Sequence, residues 1–561
     1  MPSSPPAWRR PTPLLAAVSA LFALPVLVAR FPPMVDYPQH LAMAAVYRFY
    51  GDAERGFAEN FALTWWRPHG AWELLTAALA RVMPIELAGK LLVAASVAAL
   101  APAALAVLRR RGGDGWWPWA LAALACGYGY AFWFGFVGSL LAYPLFLAGV
   151  ALADRALAGD GRRGDRAPSP GWWALVALGL LFYAVHLQFL FLLVAAVGCL
   201  TLCHRGAGGA RCWRPLAALV PGVGLALAAL ASARLADAGS LSPLERAMAA
   251  TPAAWNPLPV KLATMSGLTF GIHGDGSEFA VSLLLLAVAV LAVLWRRRGT
   301  PERKATFEVP ATFGGRRGRP VHGEVPAAFS GWGENLRRQR FAVLAAALLI
   351  VYLAAPERVQ AYLVAGRIAP LAVMVACCAL PPPRAERRRL LACLLAVLVA
   401  CQLAVVAFDV RAFDRETAGL DGLLATTAAG RDLLGLVFEP TSVRVPAFPI
   451  HAHLPAYYQV RRGGRVLNSM ADFFHTPVAY RPGRDWGGLP VLLSERNPQD
   501  FDLRRDGGRF DYVLVRGDAD RVRGLFAGVS LPVRSAGRWH LVALPSGVGR
   551  SPSGVGPATA E

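Results

Sequence analysis

Apolar runs of roughly 15–20 residues recur through the first 408 positions of this chain, each long enough to cross a lipid bilayer as a helix. Inside hydrocarbon a backbone must satisfy its own hydrogen bonds, so a chain of this kind folds as a bundle of membrane helices. The runs lie at about 13–29, 85–108, 215–233, 279–295, 341–355, 366–380 and 390–408. Two longer stretches, 116–154 and 171–203, exceed one helix and are flanked at both ends by basic loops, so each reads as a hairpin. The first turns near 130–138 and the second near His186, which brings the expected count to eleven spans. The run near the N-terminus follows an Arg pair and lacks a small-x-small cleavage site before Phe31, so it reads as a retained anchor.

The formal charge of +21 would suggest nucleic acid in a soluble protein. Here the placement of the arginines argues otherwise. Loops on one side of the spans (1–12, 109–115, 155–170, 204–214, 296–340 and 381–389) hold 27 Lys and Arg, against nine in the loops on the other side. That asymmetry places the N-terminus in the cytoplasm and the C-terminal region outside, and GC-rich codon usage implied by Ala, Arg, Gly and Pro points to a bacterial plasma membrane. The 296–340 loop, basic and rich in Gly and Pro, reads as a linker touching anionic membrane lipid. All eight cysteines lie in or beside apolar runs, so neither a disulfide framework nor a thiolate metal site is indicated.

Beyond residue 408 the apolar runs stop. Between 409 and 545 the reading is a small extracytoplasmic α/β domain, with a helix at 415–429, a strand in LLGLVF, a strand in FDYVLV, a helix in DADRVRGLFAG and strands in LPVRS and WHLVAL. The Gly- and Ser-rich tail at 546–561 reads as disordered. The fold class expected is thus a polytopic α-helical membrane protein with a C-terminal α/β domain.

Polar side chains gather on the outer side. The first outer loop, 30–84, carries Asp36 and His40 four residues apart beside Pro38, then Tyr47 and Arg48, then Trp65, Trp66, Arg67 and His69. On a helix that spacing sets Asp36 and His40 on one face, suited to proton transfer or metal coordination. The rival reading is that Asp36 caps a short amphipathic helix and that His40 is an interfacial polar residue. His186 falls in a hairpin turn, 234–278 adds Trp255, Lys261, His273, Asp275 and Glu278, and 356–367 adds Glu357, Arg358, Tyr362 and Arg367. Trp65 and Trp66 suit an interfacial aromatic belt. Outer-face arginines run against the charge bias, and a guanidinium matches phosphate in geometry. Asp36 and His40 alone are two ligands, short of a metal site.

The outward D-x-x-x-H motif, the aromatic-Gly hairpin FWFGFVGSLLAYPLFLAGVALA, the histidine in YAVHLQFLFLL, Arg367 opening GRIAPLAVMVA and the FDYVLVRG strand together make the chain similar to bacterial membrane glycosyltransferases of the GT-C type, in particular mannosyltransferase-like members. The resemblance implies transfer of a hexose or pentose from a polyprenyl-phosphate-linked donor to an envelope lipid, glycan or protein acceptor. It makes Asp36 the base, His40 its tuning partner, and His186, Arg358, Tyr362, Arg367, Trp65 and Trp66 the substrate-binding set, with a divalent metal (Mg or Mn) as a conceivable helper. The chain departs from the pattern in lacking a second acid between Trp116 and Ala153, so Asp275 or Glu278 would have to supply one. Two rival functions follow from the same layout: a transporter or flippase of a lipid-linked substrate, which the lack of an internal repeat disfavours, and a non-catalytic partner in envelope assembly.

Overall fold

The computed structural model describes residues 11–65, 67–111, 114–159, 169–208, 212–235, 250–271, 276–297, 327–359, 362–473, 476–487, 489, 493 and 497–545. Trp66, His273, Asp275, the tail from 546 and the middle of the 155–170 and 296–340 loops lie outside the described residues.

Helix α1 (Pro11–Val28) is followed by α2 (Tyr37–Arg48), strand β1 (Phe61–Leu63) and α3 (Ala71–Leu79), all ahead of the rod formed by α4 (Ile85–Ala98) and α5 (Leu100–Arg109). The hairpin at 116–154 is built from α6 (Trp119–Ala125) and α7 (Tyr130–Phe134), then α8 (Val137–Gly159). The second hairpin is α9 (Pro170–Val185) and α10 (Leu187–Gly208). Ser169 starts α9 by accepting from the Trp172 amide with Pro170 in the first turn, and His186 ends it in extended backbone. Then come α11 (Val220–Leu235), α12 (Leu258–Phe270), α13 (Ser277–Arg297) and α14 (Ala327–Ala354). A hairpin of β2 (Arg358–Val359) and β3 (Tyr362–Leu363) leads to α15 (Ala365–Ala379) and α16 (Arg388–Glu416).

Four of these stretches, Ile85–Arg109, Val137–Ala158, Leu187–His204 and Ala385–Glu416, are long and apolar enough to cross a membrane, and six shorter apolar helices accompany them. The chain is a helical membrane protein.

Three sequence expectations change. The 234–278 loop contains α12, whose Lys261 interrupts an apolar run and hides the helix from a hydropathy reading. The Lys261 ammonium is buried against the C-terminal end of α14, donating to the carbonyls of Tyr352 and Leu353 at 3.0 Å and to that of Ala355. It satisfies orphan helix carbonyls and completes the local dipole, which removes it from the candidate substrate contacts. The 296–340 linker is helical from Ala327 onward, continuous with the span it precedes. Finally, α16 runs through residue 409 to Glu416, and the helix expected at 415–429 is only α17 (Leu420–Ala425).

After α17 the chain forms β4 (Asp432–Val437), α18 (Ala456–Arg462), β5 (Arg465–Val466), β6 (Val478–Tyr480), β7 (Tyr512–Arg516), α19 (Ala519–Leu525), β8 (Val533–Ala536) and β9 (Trp539–Ala543). Five strands make one mixed sheet in the order β5-β4-β7-β9-β8, with β4 parallel to both β5 and β7, and β9 antiparallel to β7 and β8. Leu434, Leu436, Val513, Val515 and Val542 form its core on one face. Among the connections that tie this region to the first loop and to the membrane helices are a strand pair and an ion pair. Strand β6 pairs antiparallel with β1, placing Phe61 opposite Tyr480. Arg461 on α18 grips the Glu86 carboxylate of α4 with two nitrogens, at 2.7 and 3.1 Å.

Candidate functional site

The first loop is held in place by backbone. Leaving α1, the chain lays Val35 and Asp36 along the end of α7, with their amides donating to the carbonyls of Trp133 and Phe134 at 3.0 Å. Gly135 makes that approach possible. Its φ is +85°, and a Cβ there would come within 2.6 Å of the Asp36 amide nitrogen. Asp36 then precedes α2, yet its side chain makes no capping hydrogen bond. The carboxylate instead turns to the C-terminal region, with Oδ1 3.1 Å from His453 Nδ1. The geometry therefore sets aside the helix-cap reading of Asp36.

His40 does not share the Asp36 side chain. One turn into α2, its Nδ1 lies 2.6 Å from Glu73 Oε1 on α3, with the Trp72 ring edge-on at 6.0 Å. Glu73 is 2% exposed and its other oxygen has no partner among the described residues. The expected Asp36–His40 pair is thus two pairs, Asp36 with His453 and His40 with Glu73. The four-residue rule holds only within a helix, and Asp36 stands just before this one.

An aromatic wall rises beside Asp36. Phe134 stacks on Phe136 with ring centres 4.4 Å apart, Tyr130 leans on both, and Phe448 from the C-terminal region closes on Tyr130 at 5.6 Å. The guanidinium of Arg367, near the start of α15, lies 3.9 Å over the Phe136 ring. Stacking occupies one face of that fork and holds the cation against the ring. Its backbone is fixed as well, since Tyr143 donates to the Arg367 carbonyl at 3.1 Å and Gln188 to that of Val364 at 3.0 Å. Asp36, Arg367 and Glu357 all act electrostatically on Tyr130, so the wall lies within reach of two acids and one base.

His69 and His186 meet edge to face, with ring centres 4.9 Å apart. Burial, together with the charge of Arg367, pushes His69 down to about 4 against a hydrogen bond to the Val185 backbone, so its imidazole is neutral at ordinary pH. Burial likewise pushes the Glu357 carboxyl up, and Lys261 opposes it.

The remaining expected residues are dispersed. Trp65 stacks on Tyr47 at 4.8 Å, and the Tyr47 hydroxyl donates to the Pro477 carbonyl at 3.0 Å, so both serve the seam with the C-terminal region. Arg358 sits on β2, whose backbone bonds to Ala254. Tyr362 is on β3, and its side chain lies outside the described residues. Glu278 opens α13. Glu73, His453, Tyr130 and Phe448 are the members that sequence reading missed. The run HAH among prolines and tyrosines was the available signal for His453, and the aromatic-Gly hairpin for Tyr130. Among the described residues no three His, Cys, Asp or Glu side chains cluster as metal ligands, and Asp36 and His40 face different partners, so these residues do not fit a metal centre.

No family model and no curated protein matches the chain. Two solved structures share its fold over nearly the whole length. ArnT from Cupriavidus metallidurans in the apo state superposes with a TM-score of 0.54 at 14% identity, covering 96% of this chain and 98% of that one. The same protein bound to undecaprenyl phosphate gives 0.51 at 13% identity, covering 95% and 97%. The present chain thus shares the fold of ArnT, a GT-C-type fold.

Proposed function

We propose that this GT-C-type chain moves a sugar from a polyprenyl-phosphate-linked donor to an envelope lipid, glycan or protein acceptor at the extracytoplasmic face of a bacterial plasma membrane. The proposal includes eleven spans, a cytoplasmic N-terminus and an extracytoplasmic C-terminal α/β domain, as the arginine asymmetry suggests. The observation that carries it is the convergence of Asp36 and Arg367 on one aromatic wall, Tyr130, Phe134 and Phe136. The undecaprenyl phosphate bound to ArnT adds support for the donor class.

In transfer, the acceptor hydroxyl attacks the anomeric carbon, its proton passes to the Asp36 carboxylate, and the bond to the lipid phosphate breaks with its electron pair on the phosphate oxygen. Arg367 stabilises the charge gathering there with its guanidinium. Tyr130, Phe134, Phe136 and Phe448 exclude water and offer ring faces to the sugar. Asp36 takes the proton alone, and His40 with Glu73 supports the loop from behind.

The test is transfer in proteoliposomes, read as release of undecaprenyl phosphate from a panel of undecaprenyl-phosphate-linked hexoses and pentoses. Asp36→Asn should abolish release while leaving expression and thermal stability intact. Full activity in that variant would remove Asp36 from the chemistry, and flipping of the donor without release would favour the transporter reading.

A further inference from the structure

We infer that His453 is a positioning residue for Asp36, so that the active site is completed by the C-terminal region rather than by the membrane helices and first loop alone. The inference rests on the glycosyltransferase reading above.

The Asp36 carboxylate faces the C-terminal region. Its backbone is anchored to α7, its side chain takes no part in capping α2, and its Oδ1 faces His453 Nδ1 at 3.1 Å. Both side chains are enclosed, 15% and 12% exposed. An imidazole 3.1 Å from one oxygen restricts the carboxylate on that side and leaves the other oxygen for its reaction partner. That is the geometric requirement on a general base, since an ångström of misplacement costs far more than the energy of the contact that prevents it.

The segment that carries His453 is built to hold it there. Residues 451 and 453 project in opposite directions from the turn before α18. His451 enters the C-terminal region, with Nε2 2.9 Å from Glu416, while His453 enters the site. Phe448 fixes the turn from one end by packing on Tyr130 and Phe134. From the other end α18 packs on α2, and Gln39 donates its side-chain amide to the Asn468 carbonyl at 2.7 Å. Gln39 is on α2, three residues after Asp36. The same short helix therefore registers the base and its partner against each other.

In the transfer step the proton balance is unchanged: the acceptor O–H bond breaks, the proton goes to Asp36, and the leaving electron pair goes to the lipid phosphate. His453 forms no bond to substrate. Its role is to keep Oδ1 engaged through Nδ1 so that Oδ2 faces the acceptor.

The experiment uses the full-length protein in proteoliposomes with the undecaprenyl-phosphate-linked sugars as probes. His453→Ala should lower kcat by about 10- to 100-fold and leave KM for the donor within about 2-fold, because donor binding does not involve this side chain. His453→Asn should recover most of the lost kcat, since the asparagine amide nitrogen reaches the place of Nδ1. A merely structural role would not produce this recovery. An unchanged kcat in His453→Ala alongside an inactive Asp36→Asn overturns the inference and leaves the glycosyltransferase reading standing, whereas an active Asp36→Asn overturns that reading itself. If the alanine variant does not fold, His453→Asn is compared with His453→Leu at matched melting temperature. A kcat at least tenfold higher for asparagine supports the inference, and equal values overturn it.

Discussion

Asp36 and Asp154 are enclosed acids near opposite ends of α8. Asp36 touches the turn that starts it, and Asp154 lies seventeen residues beyond Val137, about 26 Å along the axis. Asp154 is fully buried and saturated. Arg110 reaches Oδ2 at 3.0 Å, Arg340 engages both oxygens, and His204 approaches Oδ1 at 3.7 Å. Arg340 also donates to the Arg110 carbonyl at 3.0 Å, so the node ties α5, α8, α10 and α14 together. Asp36 has one imidazole near one oxygen, and its backbone lies against the aromatic wall at Phe134. A buried charge whose every lone pair is answered holds helices, whereas one with a single close partner is available for chemistry. The count of partners separates the two roles better than burial does.

This contrast breaks first at Asp36. Asp36→Asn should lower transfer by about 10²- to 10⁴-fold, the range of a lost general base, with little change in melting temperature. Asp154→Ala should do the reverse, costing about 3–5 kcal/mol of stability by stranding two arginines, and a thermal melt in detergent of the purified protein reads it. Activity lost with normal stability in the Asp154 variant would end the comparison.

A third acid sharpens it. Glu416 is also saturated, taking the Ser442 hydroxyl and His451 Nε2 at 2.9 Å each, and burial pushes His451 down to about 4 despite that partner. The unfolded histidine titrates near 6.5, so between pH 6.5 and 4 the unfolded chain takes up a proton that the folded chain refuses. Stability contributed by neutral His451 is present above pH 6.5 and fades as pH falls to 4, by about 3 kcal/mol. A melt series across that window should show the decline, and His451→Phe, which retains the ring stacked on Phe413, should flatten it.

The smallest effect is expected at Gly135→Ala. A left-handed alanine costs about 1–2 kcal/mol, yet its Cβ presses on the Asp36 amide, so transfer should fall further than stability does. Equal losses in both would mean that the Asp36 loop adapts without disturbing its carboxylate.

The membrane helices and most strands of the C-terminal region were legible because their signals are local. Apolar runs, the arginine breaks, FDYVLV and WHLVAL each state their structure within a dozen residues, and His186 marked its helix break in the same way. Helix α12 was hidden because Lys261 breaks its run, a cation that makes sense only beside the carbonyls of α14. Asp36 and Arg367 were visible as residue types out of place. The partner of Asp36 was not, since His453 follows 417 positions later and no periodicity spans that distance. His40 was assigned to Asp36 by helical spacing, and α3 claimed it with Glu73.

The pairing of β1 with β6 joins residue 61 to residue 480, so the first loop waits for the C-terminal region. At about 5–20 residues per second, the 419 residues between them take roughly 20–80 s to synthesise, during which the first loop lies beside the membrane without its strand partner. Assembly order thus acts as a safeguard, because a chain not yet synthesised to residue 453 carries Asp36 without the imidazole that faces it.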